Sequence, residues 1–226
     1  KKDSYASKRL PYPLEQGGIA AYDELMTTLY TPEEREKIEW AIGSIVNGDS
    51  KKIQKFLVLY GPPGSGKSTI LNLLLRFYDV TGGRITLDGI DIREISQRKL
   101  RETIGYVPQK GVLFSGTIES NLKFGGEQIS DEDLQEAARI AQASDFIAEK
   151  ADGFKSSISQ DGTNVSGGQR QRLSIARAIA KKPKIFLFDD SFSALDYKTD
   201  AALRRALDEN ISAATQIIVA QRISTI

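Results

Sequence analysis

The sequence predicts an α/β fold: a mostly parallel sheet with helices packed on it, a helical insert and a helical N-terminal extension. Three observations predict it. Short apolar runs, FLVLY at Phe56–Tyr60 and IFLF at Ile185–Phe188, read as strands buried on both faces. Segments with apolar residues at helical spacing lie between such runs, and strands alternating with helices build parallel sheets. The first run leads directly into GPPGSGKS at Gly61–Ser68, a glycine-rich turn that opens an apolar helix.

In chain order, residues 1–17 are polar, carry Pro11 and Pro13, and read as an irregular lead-in. Thr31-Pro32-Glu33-Glu34 is a helix start: Thr31 can cap, Pro32 suits the first helical position, and Glu34 completes a capping box. Ile38, Ala41, Ile42 and Ile45 then form one apolar stripe, and Asn47-Gly48 ends the helix. After the strand Phe56–Tyr60, a helix is expected over Ser68–Phe77 and strands over Arg84–Leu87 and Thr103–Val107. Asp131–Gln142 reads as a helix with Leu134, Ala137, Ala138 and Ala141 on one face. A helix over Ser166–Ala180, a buried strand over Lys184–Phe188, a helix over Thr199–Leu207 and a strand over Thr215–Ala220 complete the reading.

Composition narrows the chemistry. The chain has 226 residues, enough for one well-filled core. Its 31 basic and 30 acidic residues give no polyanion or anionic-membrane footprint, so no nucleic-acid partner is expected. Cysteine and histidine are both absent, which removes disulfides, thiolate chemistry and the commonest general base and metal ligand. No apolar run approaches the length of a membrane span. The start, KKDSYASK, lacks a signal-peptide core and an initiating methionine, so a piece of a longer protein is expected.

The glycine-rich turn carries the first chemistry. Gly61, Gly64 and Gly66 permit a tight turn whose amides, with that of Ser65, point at phosphate oxygens. The helix that follows presents its N-terminus to an anion. Lys67 supplies charge to the phosphates, Ser68 offers a hydroxyl to Mg2+, and Thr69 completes the nucleotide-binding set. The class is therefore a phosphate-loop NTPase. Downstream, an apolar strand delivers Asp189 beside that loop, where a carboxylate holds Mg2+ directly or through water. Ser166-Gly167-Gly168-Gln169 sits at a helix start: Ser166 can cap it, and the two glycines leave its amides open to a phosphate.

The ordered set GPPGSGKS, VSGGQRQR at Val165–Arg172 and IFLFDD at Ile185–Asp190 resembles the nucleotide-binding domain of ABC transporters, nearest in pattern to bacterial multidrug exporters. The resemblance runs from about Gly61 to Ile226. It implies that Ser166–Gln169 meets nucleotide held by an opposite subunit, and that ATP with Mg2+ is bound between two such domains, alike or different. It also implies a transmembrane partner domain and a cytoplasmic position at the inner face of the membrane. By the same resemblance, Gln109 in YVPQ reaches the metal and the attacking water, and Ser193-Ala194-Leu195-Asp196 crosses the dimer interface.

Two positions depart from the active pattern together. Where active members carry a glutamate beside the metal-side aspartate, this chain has Asp190, whose carboxylate is one methylene shorter. Where they carry a histidine after the last strand, it has Gln221, which can hydrogen-bond a phosphate but carries no proton. The pair resembles the degenerate site of heterodimeric exporters, so an ATPase of weak turnover is expected. Gln160 also stands where exporters have a glutamate. The expected division is a helical extension over residues 1–55 and an ATP-binding domain over 56–226, with its helical part near 112–165 and its C-terminal end cut short. Residues 1–55 lack the family's antiparallel opening and its adenine-stacking aromatic, and their approach to the phosphate loop resembles phage primase–helicases. That leaves open a primase–helicase-type ATPase acting on nucleic acid, and a hybrid phosphate-loop chimera that binds nucleotide without turnover.

Overall fold

The computed structural model describes residue 27, residues 31–33, 35, 36, 57–60, 67–126 and 128–220. Four strands form a parallel sheet: β1 (Leu57–Tyr60), β4 (Ile104–Val107), β7 (Ile185–Asp189) and β8 (Thr215–Ala220), in the spatial order β1-β8-β7-β4. Two antiparallel pairs flank it in the chain, β2 (Thr86–Leu87) with β3 (Ile90–Asp91) and β5 (Gly116–Thr117) with β6 (Ser157–Ile158). The helices are α1 (Lys67–Leu74), α2 (Gln97–Thr103), α3 (Ile118–Lys123), α4 (Asp131–Ile140), α5 (Ser144–Ala148), α6 (Gly167–Ala180) and α7 (Tyr197–Ile211). The α/β class and the parallel sheet are as the sequence predicts.

Strand alternation divides the interior into two cores. In β7, Ile185 and Leu187 join Ile217 and Val219 of β8 in a cluster with Ile70, Leu71 and Leu75 from the α1 segment and Leu100 of α2. Phe186 and Phe188 point the other way, into a cluster with Ile218, Leu173 and Ile175 of α6, Leu203 and Leu207 of α7, and α3 to α5. Every residue of β7 is buried, as a central strand covered on both faces requires. The face Leu134, Ala137, Ala138 and Ala141 of the α4 segment is buried as its periodicity predicts.

Helix ends are where the sequence reading fails. The helix expected to reach Phe77 stops at Leu74, because Arg76 takes the left-handed conformation at φ 52°. The Arg76 N–H then donates to Leu73 O and that of Phe77 to Asn72 O, closing a Schellman motif without glycine. The Arg76 guanidinium supports the turn by donating to the carbonyls of Ile92, Arg93 and Ile95. Gln142, expected inside α4, ends it in the same way at φ 56°, with Ala143 N–H on Ala138 O. The helix expected over Thr199–Leu207 is longer, running Tyr197–Ile211 from an Asp196 cap. The expected strand at 84–87 is only Thr86–Leu87. The helix α2 was not anticipated, and α3 and α5 fall in the helical part expected near 112–165 without having been placed individually. Of the N-terminal helix, Pro32, Glu33, Arg35 and Glu36 are helical, with Arg35 N–H on Thr31 O. Its apolar stripe and most of the stretch resembling primase–helicases lie outside the described residues, and nothing described tests the hybrid reading.

Candidate functional site

The candidate site forms where strands of the parallel sheet end, the place such sheets offer to ligands. β1 ends at Tyr60 and α1 begins at Lys67, so the phosphate-loop sequence bridges a strand end and a helix N-terminus. Gly61, Gly64, Ser65 and Gly66, the Lys67 side chain and Gln221 lie outside the described residues. Thr69 follows Ser68 in the first turn of α1, with both side chains exposed.

Ser68, Gln109, Asp189 and Asp190 come together. Ser68 Oγ donates to Asp189 Oδ1 at 3.1 Å, across 121 positions of sequence. Gln109, two residues beyond β4, donates through Nε2 to Asp190 Oδ2 at 3.1 Å. Asp190 is 6% exposed and takes φ 47°, a left-handed backbone that is rare for a residue with a side chain. It is held there by its own N–H on Val219 O at 2.8 Å and by Ser193, whose Oγ donates to Asp190 O at 2.9 Å. Ser191, fully buried, donates to Val107 O at 2.8 Å and ties the end of β7 to the end of β4.

Tyr106 completes this cluster and escaped the sequence reading. Its hydroxyl lies 3.5 Å from Asp189 Oδ2. Burial, then the neighbouring carboxylate, push its phenol up to about 12, so it stays protonated and donates. The signal was available: an aromatic in a strand otherwise made of small or aliphatic residues, one position before the strand's end. The donor set fits Mg2+. Ser68 and Asp189 offer one hydroxyl and one carboxylate, hard oxygen ligands of the kind Mg2+ takes alongside substrate phosphates. Among the described residues, no group of three or more acidic side chains could cage a metal unaided.

Ser166, Gly167, Gly168 and Gln169 belong to a different surface, at the start of α6. A capping box closes it: Gln169 N–H donates to Ser166 Oγ at 3.1 Å, and Ser166 N–H to Gln169 Oε1 at 3.0 Å. A Cβ added at Gly167 would meet nothing within 4 Å, whereas one at Gly168 would lie 3.4 Å from Ala194 O. The loop 193–196 therefore runs from Asp190 at one end to the start of α6 beside its middle. Gln171 is a second residue that sequence reading missed. It is 1% exposed, accepts from Gly111 N–H at 2.8 Å and donates to Pro108 O at 3.1 Å, binding the loop around Gln109 to α6. A polar residue on the buried face of an amphipathic helix was its only sign.

Comparison with known proteins follows this geometry. A family model described as ABC transporter matches residues 49–193. An uncharacterized ABC transporter ATP-binding protein of Mycobacterium tuberculosis is 47% identical over 169 residues, 74% of this chain and 29% of that protein. The multidrug resistance protein pgp-1 of Caenorhabditis elegans is 44% identical over 170 residues, 75% of this chain and 13% of that protein. The solved structure of a bacterial Atm1-family ABC exporter with ATP bound aligns at a TM-score of 0.73 and 41% identity, over 76% of this chain and 30% of its own. The chain thus spans less than a third of the length of each of these relatives.

Proposed function

The chain belongs to the ABC transporter family, and we propose that it is the ATP-binding domain of an exporter, holding ATP with Mg2+ at a site of slow turnover. The convergence of Ser68, Asp189, Asp190 and Gln109 at the sheet's end carries this reading. The phosphate-loop amides and Lys67 take the phosphates, while Ser68 and Asp189 hold the metal. Bound Mg2+ would neutralise phosphate charge. Asp190 orients water less well than a glutamate would, being one methylene short on a backbone its neighbours fix. Gln221 adds a neutral hydrogen bond and no proton.

Ser166, Gly167, Gly168 and Gln169 serve another site, on nucleotide held by a second domain of the same kind. The open space at Gly167 and the helix N-terminus behind it support that role. The wider assembly is a transmembrane domain with this domain on its cytoplasmic side. Among the described residues no helix is long and apolar enough to cross a membrane.

Titration calorimetry with ATP and Mg2+ tests the reading. Saturable binding is expected, and Lys67→Ala should weaken it at least tenfold by removing a charge from the phosphates. Absence of binding by the folded, unsubstituted chain would overturn the reading.

A further inference from the structure

β4 lies beside β7 with Tyr106 opposite Leu187. Side chains alternate along a strand, so Asp189, two residues past Leu187, faces the same side of the sheet as Tyr106. That diagonal is too long for a short side chain and within reach of an aromatic one. The Tyr106 ring is braced edge-on against Phe77, with centroids 6.3 Å apart and planes at 79°. Its hydroxyl is thereby held near Asp189 Oδ2 at 3.5 Å, while Ser68 Oγ holds Oδ1 at 3.1 Å. The terminal torsion of an aspartate is soft, so each hydrogen bond to a carboxylate oxygen narrows the range over which it can swing.

We infer that Tyr106 is a positioning residue, fixing the plane of the Asp189 carboxylate for Mg2+-nucleotide. The inference rests on Asp189 being the metal-side carboxylate. Ser68 belongs to the same oxygen donor set as Asp189, so its hydroxyl serves two demands. Tyr106 approaches the other oxygen and has no such second demand. Phenylalanine at this position would keep the contact with Phe77 and lose only the hydroxyl.

ATP affinity, measured by calorimetry on the 226-residue chain with excess Mg2+ and with EDTA, separates the cases. Tyr106→Phe should leave the EDTA affinity unchanged and remove about three- to tenfold of the gain that Mg2+ confers, the net worth of one ordinary hydrogen bond. An unchanged Mg2+ gain overturns the inference. An equal loss with and without Mg2+ also overturns it, since Tyr106 would then act through packing. Asp189→Asn is the control for the underlying reading. If it retains the full Mg2+ gain, or if the unsubstituted chain binds no ATP, that reading fails and the inference falls with it. If Asp189→Asn loses the gain while Tyr106→Phe keeps it, only the inference fails.

Discussion

Asp190 has little freedom to compensate for its length. A left-handed backbone is tolerated better by aspartate than by most residues with a Cβ, and the bonds from Asp190 to Val219 and Ser193 hold it there. With the backbone fixed, side-chain length sets how far the carboxylate reaches, and a misplacement near 1 Å can cost about a hundredfold in rate. Asp190→Glu is therefore expected to raise steady-state phosphate release by roughly ten- to a hundredfold without changing ATP affinity. Unchanged release would show that reach at position 190 does not limit turnover. At this scale the motif residues were legible, because Ser68 and Asp189 belong to local strings whose context announces them. Tyr106 and Ser191 were not, since their partners lie 83 and 84 positions away and only the register of β4 on β7 brings them close.

Elements meet through backbone as much as through side chains. A Cβ on Gly111 would stand 2.9 Å from Arg170 O, so the loop after Gln109 lies directly against the first turns of α6. Gln171 fills both hydrogen-bonding needs of that contact. Gln171→Leu would leave the buried Gly111 N–H and the half-buried Pro108 carbonyl without partners, at about 1–3 kcal/mol for the first and less for the second. Urea unfolding should show a loss of roughly 2–4 kcal/mol, and a loss within experimental scatter would mean the loop does not depend on this residue. Gly111→Ala should be destabilising too, since the contact at 2.9 Å is with the Arg170 backbone, which yields less readily than a side chain. Element types were readable from periodicity, and their ends were not. Arg76 and Gln142 terminate helices at positive φ without being glycine or asparagine. Tertiary bonds make this possible: the Arg76 guanidinium reaches three carbonyls around β3, and Arg172 donates to Gln142 O at 2.6 Å.

At the scale of the whole molecule, the two cores hold two chemically different surfaces in one body. The α1 side of the sheet supports Ser68 and Tyr106 against Asp189, and the α6 side carries the helix start at Ser166. The Ser166 and Gln169 side chains each accept from the other's backbone N–H, so the start of α6 offers an incoming phosphate the amides of Gly167 and Gly168 and the open space at Gly167. This separates folding from association in a way a single substitution can test. Gly167→Asp adds a side chain where nothing lies within 4 Å, and a carboxylate in the first turn of a helix is favourable to the dipole. The variant should keep its thermal midpoint and its own affinity for ATP. It should weaken ATP-dependent association with a second domain at least tenfold, because a fixed negative charge now stands where that domain's phosphate must approach. Light scattering with ATP and Mg2+, on the variant alone and mixed with unsubstituted chain, measures this directly. Undiminished association would mean the start of α6 is not where nucleotide joins two domains, whatever the sequence string at 165–172 resembles.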